Sequence, residues 1–204
     1  MTQNPRPIEH RLCVYCGSSP GRNPSHMKSA IALGTAMARA GIGLVYGGGS
    51  IGLMGATAQA VLDAGGHVTG IIPEFLVAKE RMLDGVNELV VTRSMHERKT
   101  LMFERSTGFV ALPGGIGTLE ELAEITTWAQ LNQHAKPIIV ADFEGYWEHL
   151  LKLLDHMRAE QFIRAETEVF LDVAKTVDEV VPLYHARLGQ ARQKVPLAAI
   201  RQQL

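Results

Sequence analysis

The sequence predicts a three-layer α/β protein, a doubly wound parallel sheet of about seven strands flanked by helices. Two observations predict it. Short β-type runs alternate with amphipathic helical runs from end to end, with no internal repeat or low-complexity linker between them. Three of the strand-to-helix junctions are also rich in glycine or hydroxyl residues, as expected where a parallel sheet gathers a ligand at one edge.

Leu12 to Cys16 is the first strand. Asn23 reads as an N-cap with Pro24 at the first helical position, and Gly41 ends that helix. Gly43 to Tyr46 is the second strand, followed by a helix from about Leu53 to Asp63. His67 to Ile72, closed by Pro73, is the third, and Glu88 to Thr92 the fourth. Ser94 and Glu97 form an S-x-x-E capping box that opens the next helix. Phe109 to Leu112 is the fifth strand, with a glycine turn and a helix from Thr118 to about Gln133 behind it. Pro137 to Ala141 is the sixth, a long helix starts near Tyr146, and Val169 to Val173 reads as the seventh. Thr176 and Glu179 make a capping box for a last helix. The result is a Rossmann-like single domain over residues 11–190, with 1–10 expected as a flexible N-terminus and 191–204 as a C-terminal tail. From His185 onward, Arg187, Arg192, Lys194 and Arg201 show no acidic partner in the sequence; the stretch reads as a frayed helical end, with a contact arm as the alternative.

Composition narrows the function. With 204 residues the chain suffices for one domain with a full core. Twenty Lys+Arg against 21 Asp+Glu leave a formal charge of −1, which argues against a nucleic-acid partner, because such binding needs surplus cations. The polar opening Met1 to Pro7 and the lack of any run of ~20 apolar residues argue against secretion and a membrane partner, so a cytoplasmic location is expected. Cys13 and Cys16 have CxxC spacing, but residues three apart on a strand face opposite sides, so two buried strand cysteines are expected rather than a redox pair. The eight histidines are scattered, and no H-E-x-x-H follows from His96-Glu97, so no metal site is expected.

The three turns are Gly17-Ser18-Ser19, Gly47-Gly48-Gly49-Ser50-Ile51-Gly52 and Gly114-Gly115-Ile116-Gly117-Thr118. Glycine lets consecutive N–H groups point at an anion, and the helix N-terminus beyond adds unpaired N–H groups and a positive dipole end. Three such turns on one edge favour a phosphate-bearing ligand, with Gly17, Ser18, Gly48 and Gly49 among its contacts. The second turn also matches G-x-G-x-x-G, with Glu74 as a candidate ribose-binding acid, but it follows the second strand rather than the first. No P-loop signature is present.

Charged residues flank the turns. Thr118 and Glu121 have the spacing of a capping box; alternatively Glu121 points into the cleft beside a phosphosugar, where the helix dipole would favour its ionised form. Both readings stand at this point. Arg98 and Lys99 lie at the start of the helix after the fourth strand, an unfavourable place for cations unless an anion offsets them. Arg98 has the donor fork to grip phosphate or sugar hydroxyls.

On these stretches the sequence resembles the LONELY GUY family of cytokinin riboside 5′-monophosphate phosphoribohydrolases. The resemblance rests on Cys16-Gly17-Ser18-Ser19, the run from Leu44 to Gly55, Met95-His96-Glu97-Arg98-Lys99, the run from Ala111 to Glu121, Thr127 to Leu131, and Lys136-Pro137. It implies hydrolysis of a nucleoside 5′-monophosphate, a cytokinin riboside monophosphate or AMP, to free base and ribose 5-phosphate. It further implies Arg98 and Glu121 as the catalytic pair, and substrate contacts from Glu80, Arg98, Lys99, Gly114, Gly115, Ile116, Gly117, Thr118, Leu119, Glu120 and Thr126. Ile116 stands where plant members often carry Tyr. No metal or organic cofactor is implied, and members of this size are homodimers with sites near the subunit interface. Two rival readings are a non-catalytic nucleotide or molybdenum-cofactor carrier on the same sheet, and a nicotinamide-dependent oxidoreductase built on Gly47 to Gly52. The family has also been labelled lysine decarboxylase, but nothing in the sequence argues for the pyridoxal-phosphate lysine that such chemistry requires.

Overall fold

Seven strands pair into one parallel sheet: β1 (Arg11–Tyr15), β2 (Gly43–Tyr46), β3 (Val68–Pro73), β4 (Glu88–Thr92), β5 (Gly108–Ala111), β6 (Ile138–Ala141) and β7 (Asp172–Ala174). Their order is β4-β3-β2-β1-β5-β6-β7, and every pairing is parallel. The helices are α1 (Pro24–Arg39), α2 (Gly52–Asp63), α3 (Glu74–Val77), α4 (Met95–Glu104), α5 (Ile116–Gln130), α6 (Glu148–Ala159) and α7 (Val177–Lys194), with a 3-10 turn at Phe143–Gly145. This computed structural model describes residues 8–77, 82–163 and 171–194.

Strand residues alternate between two apolar layers. Leu12 and Val14 of β1 face the same way as Leu44, Tyr46, Val110 and Ile139, and pack against Leu33, Met37, Val61 and Tyr184 of α1, α2 and α7. Cys13 and Tyr15 point to the other side with Val45, Ile71, Phe109 and Val140, against Met102 of α4 and Leu122 and Ile125 of α5. Each such buried large side chain contributes about 1.5–3 kcal/mol to stability. Cys13 and Cys16 fall in opposite layers, as the strand alternation requires, and both are free thiols. Burial first, and then the charge of Glu121, pushes both thiols up, so they stay protonated.

The predicted element types hold, with adjustments at the ends. α5 begins at Ile116, two residues earlier than expected, which makes Thr118 an internal residue instead of a cap. The seventh strand is Asp172–Ala174, shifted from the expected Val169 to Val173; Val169 and Phe170 lie outside the described residues. The Ser94 cap forms, its hydroxyl accepting from Glu97 N–H, while the Glu97 carboxylate accepts from Arg93 N–H, one residue before the N-cap whose own N–H a capping box would use. At α7 the Glu179 carboxylate accepts from Lys175 N–H. One expectation is corrected here. Arg187 has an acidic partner, donating from Nε to both oxygens of Asp172 at 2.9 and 2.8 Å, so this part of the basic stretch is tied to β7 as an ordered helix. A sequence scan misses this pair because the two residues sit on different elements.

Candidate functional site

The strand order reverses between β1 and β5, and the crevice above that point is where doubly wound sheets collect ligands. The three glycine turns meet there. Gly17 N–H donates to Pro113 O at 3.0 Å, and Leu53 N–H, in the first turn of α2, donates to Gly17 O at 3.0 Å. Gly52 has φ +62°, and a Cβ on it would sit 2.3 Å from the Ser18 carbonyl carbon, so only glycine lets the first and second turns close on each other. Between the first and third turns lies an open cleft of about 220 Å³, lined by Gly17, Ser19, His26, Gly114, Gly115 and Tyr146 among others.

The helix ends differ in a way that matters for an anion. α1 is capped by Asn23, whose Oδ1 accepts from Ser25 N–H at 3.1 Å, and α4 is capped by Ser94. α2 and α5 have Ile51 and Gly115 at the cap position, with no side-chain hydrogen bond. On α2 the Leu53 and Met54 N–H groups are taken up by Gly17 O, so of the two it is α5 that keeps its first N–H donors together with the positive dipole end. On α5 these groups are accessible: Gly115, Ile116 and Gly117 are exposed, Ile116 by 81%. Thr118 is buried beneath them. At the second turn, Gly48 and Gly49 are buried; Leu83 N–H reaches Gly48 O at 3.4 Å and Met82 bridges to Gly49. The Met82 bridge and the turn's place after β2 leave the G-x-G-x-x-G match without the setting of a dinucleotide site. Glu74 opens the short helix α3 as an exposed residue.

Arg98 is 8% exposed, one turn into α4. Its Nε donates to Ile71 O within β3, 3.1 Å away, and its guanidinium lies against the second glycine turn. A Cβ at Gly47 would come 2.2 Å from Nη2, so glycine here makes room for the arginine. Among the described residues no carboxylate forms an ion pair with this buried cation. Glu121, on the inner side of α5, is electrostatically coupled to it without direct contact.

Burial pushes the Glu121 carboxyl up from 4.5 to about 7, and Arg98 is the largest influence pulling it back. This corrects the expectation that the helix dipole holds Glu121 ionised. Glu121 is the sixth residue of α5, past the first turn where the dipole acts, and desolvation outweighs it. The capping alternative also fails, because the helix starts before Thr118. A carboxyl poised near neutrality is suited to exchanging a proton with a reacting group at neutral pH.

The remaining expected contacts divide. Lys99 Nζ is held by Glu120 at 2.7 Å and Glu124 at 2.9 Å, a clasp that fixes α4 to α5 and so sets Arg98 relative to Glu121. Leu119 is half-buried and packs against the second apolar layer. Thr126 Oγ1 bonds back to Leu122 O at 2.7 Å; ten residues beyond Ile116, it lies about 15 Å along the helix from the glycine turn. The site geometry within one chain therefore does not bring Thr126 to that turn. Glu80 lies outside the described residues. The sequence reading overlooked His26 and Tyr146, which line the cleft. The signal for Tyr146 was its position after the sixth strand, at the same sheet edge as the turns.

Residues 54–183 match the family profile described as "Possible lysine decarboxylase". The chain is 46% identical over 171 residues to cytokinin riboside 5′-monophosphate phosphoribohydrolase LOG3 of Arabidopsis thaliana, an alignment covering 84% of this chain and 80% of that protein. The chain belongs to the LOG family. It is 45% identical over 171 residues to LOG of Oryza sativa subsp. japonica, covering 84% of this chain and 71% of the relative. Among solved structures, the molybdenum cofactor carrier protein of Chlamydomonas reinhardtii superposes with TM-score 0.69 at 22% identity, over 89% of this LOG-family chain and 98% of the carrier. The molybdenum cofactor binding protein of Rippkaea orientalis gives 0.63 at 24%, over 87% and 96%. At such identities these neighbours share the fold, and the likeness extends no further.

Proposed function

We propose that this chain hydrolyses the N-glycosidic bond of a cytokinin riboside 5′-monophosphate, AMP, or both, giving free base and ribose 5-phosphate. The observation that carries the reading is the pairing of an uncapped, exposed α5 N-terminus with a desolvated carboxyl on the same helix, next to a buried arginine. The N–H groups of Gly115 to Thr118 bind the 5′-phosphate, converting binding energy remote from the reaction into orientation of the sugar. As the base departs, positive charge builds on the sugar. Ionised Glu121 stabilises it and positions or deprotonates the attacking water. Arg98 keeps Glu121 closer to ionisation and orients the ribose or the water through Nη2, which lies against the second glycine turn. Lys99 and Glu120 act through the clasp between α4 and α5, Gly17 lines the cleft, and Ser18, Gly48 and Gly49 lie behind or beside that lining.

The same reading includes a homodimer in the cytoplasm. α6 has an apolar stripe yet no fully buried residue, and Leu131 just after α5, Leu153 of α6 and Phe162 just after α6 are exposed. A second copy packing there would cover them and bring further residues toward the site. No helix among the described residues is long and apolar enough to cross a membrane.

The test is a product assay by chromatography on a panel of 5′-monophosphates, nucleosides and diphosphates. The expected result is base release from the monophosphates only. Tight binding with no base released from any of them would favour a carrier.

A further inference from the structure

The turn after β6 takes no part in the chemistry above, yet it reaches across to the third glycine turn. Asp142, wholly buried at the end of β6, accepts from Trp147 N–H at 2.6 Å and from the Lys175 ammonium. These bonds hold the intervening 3-10 turn, in which Glu144 adopts φ 55°, uncommon for a residue with a side chain. The Glu144 carboxylate accepts from Asn23 Nδ2 and, at 2.9 Å, from Ser25 Oγ, fastening the turn to the N-terminus of α1. Tyr146, thus placed, packs edge-on against His26 and Trp147 and donates its hydroxyl to Gly114 O at 2.6 Å.

The carbonyl of one residue and the N–H of the next point in opposite directions across a trans peptide. Gly114 has no side chain to limit rotation of the peptides on either side of it. Both are instead held through their carbonyl oxygens, Pro113 O by Gly17 N–H and Gly114 O by the Tyr146 hydroxyl. Holding Gly114 O fixes the direction of Gly115 N–H, the donor at the uncapped start of α5.

We infer that Tyr146 is a positioning residue for phosphate recognition: its hydroxyl holds the Gly114 carbonyl so that Gly115 N–H faces the 5′-phosphate of the substrate. This rests on the nucleoside 5′-monophosphate reading above. Tyr146 touches the cradle and not the reacting atoms; without it the N–H groups of Ile116 to Thr118 still hold the phosphate of bound substrate, so affinity falls while the sugar keeps its orientation.

Tyr146→Phe keeps the ring and removes the hydroxyl. In the full chain, KM for AMP is expected to rise about five-fold, the equivalent of one hydrogen bond, with kcat within about two-fold of wild type. By calorimetry, the Kd of ribose 5-phosphate should weaken by a similar factor, while inhibition by adenosine, which lacks the phosphate, stays as in wild type. Unchanged KM and Kd, or an equal loss of affinity for AMP and adenosine, would overturn the assignment. The two levels separate cleanly. A wild-type chain that binds ribose 5-phosphate but does not cleave AMP removes the proposed reaction, and the calorimetric comparison still tests Tyr146. A wild-type chain that does not bind ribose 5-phosphate overturns both.

Discussion

Replacing Glu121 with Gln should remove most turnover and, at the same time, make the protein more stable in mildly alkaline buffer. The carboxyl rises from 4.5 to about 7 on folding, chiefly because burial disfavours its charged form. The sign follows from linkage. Folded protein binds the Glu121 proton more tightly than unfolded chain, so stability from this group is highest below 4.5 and falls as pH rises through about 7. At about 1.4 kcal/mol per pH unit, the charged form costs up to about 3 kcal/mol above pH 7, and partial exposure of the side chain screens this toward about 1–2 kcal/mol. Gln carries no such cost. Urea unfolding of both proteins at pH 5 and pH 8 measures the difference. The Gln variant should gain about 1–2 kcal/mol on wild type at pH 8 and much less at pH 5. Equal stability at pH 8, or a loss there, would mean that the carboxylate is well solvated or serves as a helix cap, and the argument for a desolvated catalytic carboxylate would fall.

Other outcomes follow from the same geometry. kcat/KM for AMP should rise with pH through about 7, because the ionised Glu121 is the active form; a profile flat from pH 5.5 to 8.5 contradicts this. Arg98→Met removes the main influence lowering that carboxyl, so whatever activity remains should show its acid limb at higher pH, as a pH–rate series would reveal. Gly47→Ala places a Cβ 2.2 Å from the present position of Arg98 Nη2, so the guanidinium must shift; a loss on the order of 100-fold in kcat/KM is expected, as for other ångström-scale misplacements of a working group. Sedimentation should find a dimer, and Leu153→Glu with Phe162→Glu should shift it toward monomer.

How much of this was legible beforehand depends on the range of the interaction concerned. Strand and helix types, the Asn23 and Ser94 caps and the opposed cysteines follow from local spacing, and each is found where expected. The three turns were visible as glycine clusters, but their locking by Gly17 and Gly52 depends on which strands are neighbours, which no local pattern states. Local pattern sets the start of α5 two residues late, because Thr118 and Glu121 imitate a capping box, whereas the uncapped Gly115 supplies no side chain to signal a helix start. The raised carboxyl at Glu121 escapes the sequence for a related reason: burial is a property of the folded layers, and only the dipole is legible along the chain. Likewise the Arg187–Asp172 pair, the Lys99 clasp and the Tyr146–Gly114 bond join separate elements.

A crystal of the protein soaked with ribose 5-phosphate would decide where the sugar stands. The phosphate oxygens should lie at about 2.7–3.2 Å from the N–H groups at the start of α5, with the Glu121 carboxylate and the Arg98 guanidinium facing the anomeric carbon. Phosphate bound elsewhere, or an anomeric carbon turned away from Glu121 toward bulk solvent, would contradict the assignment of both residues.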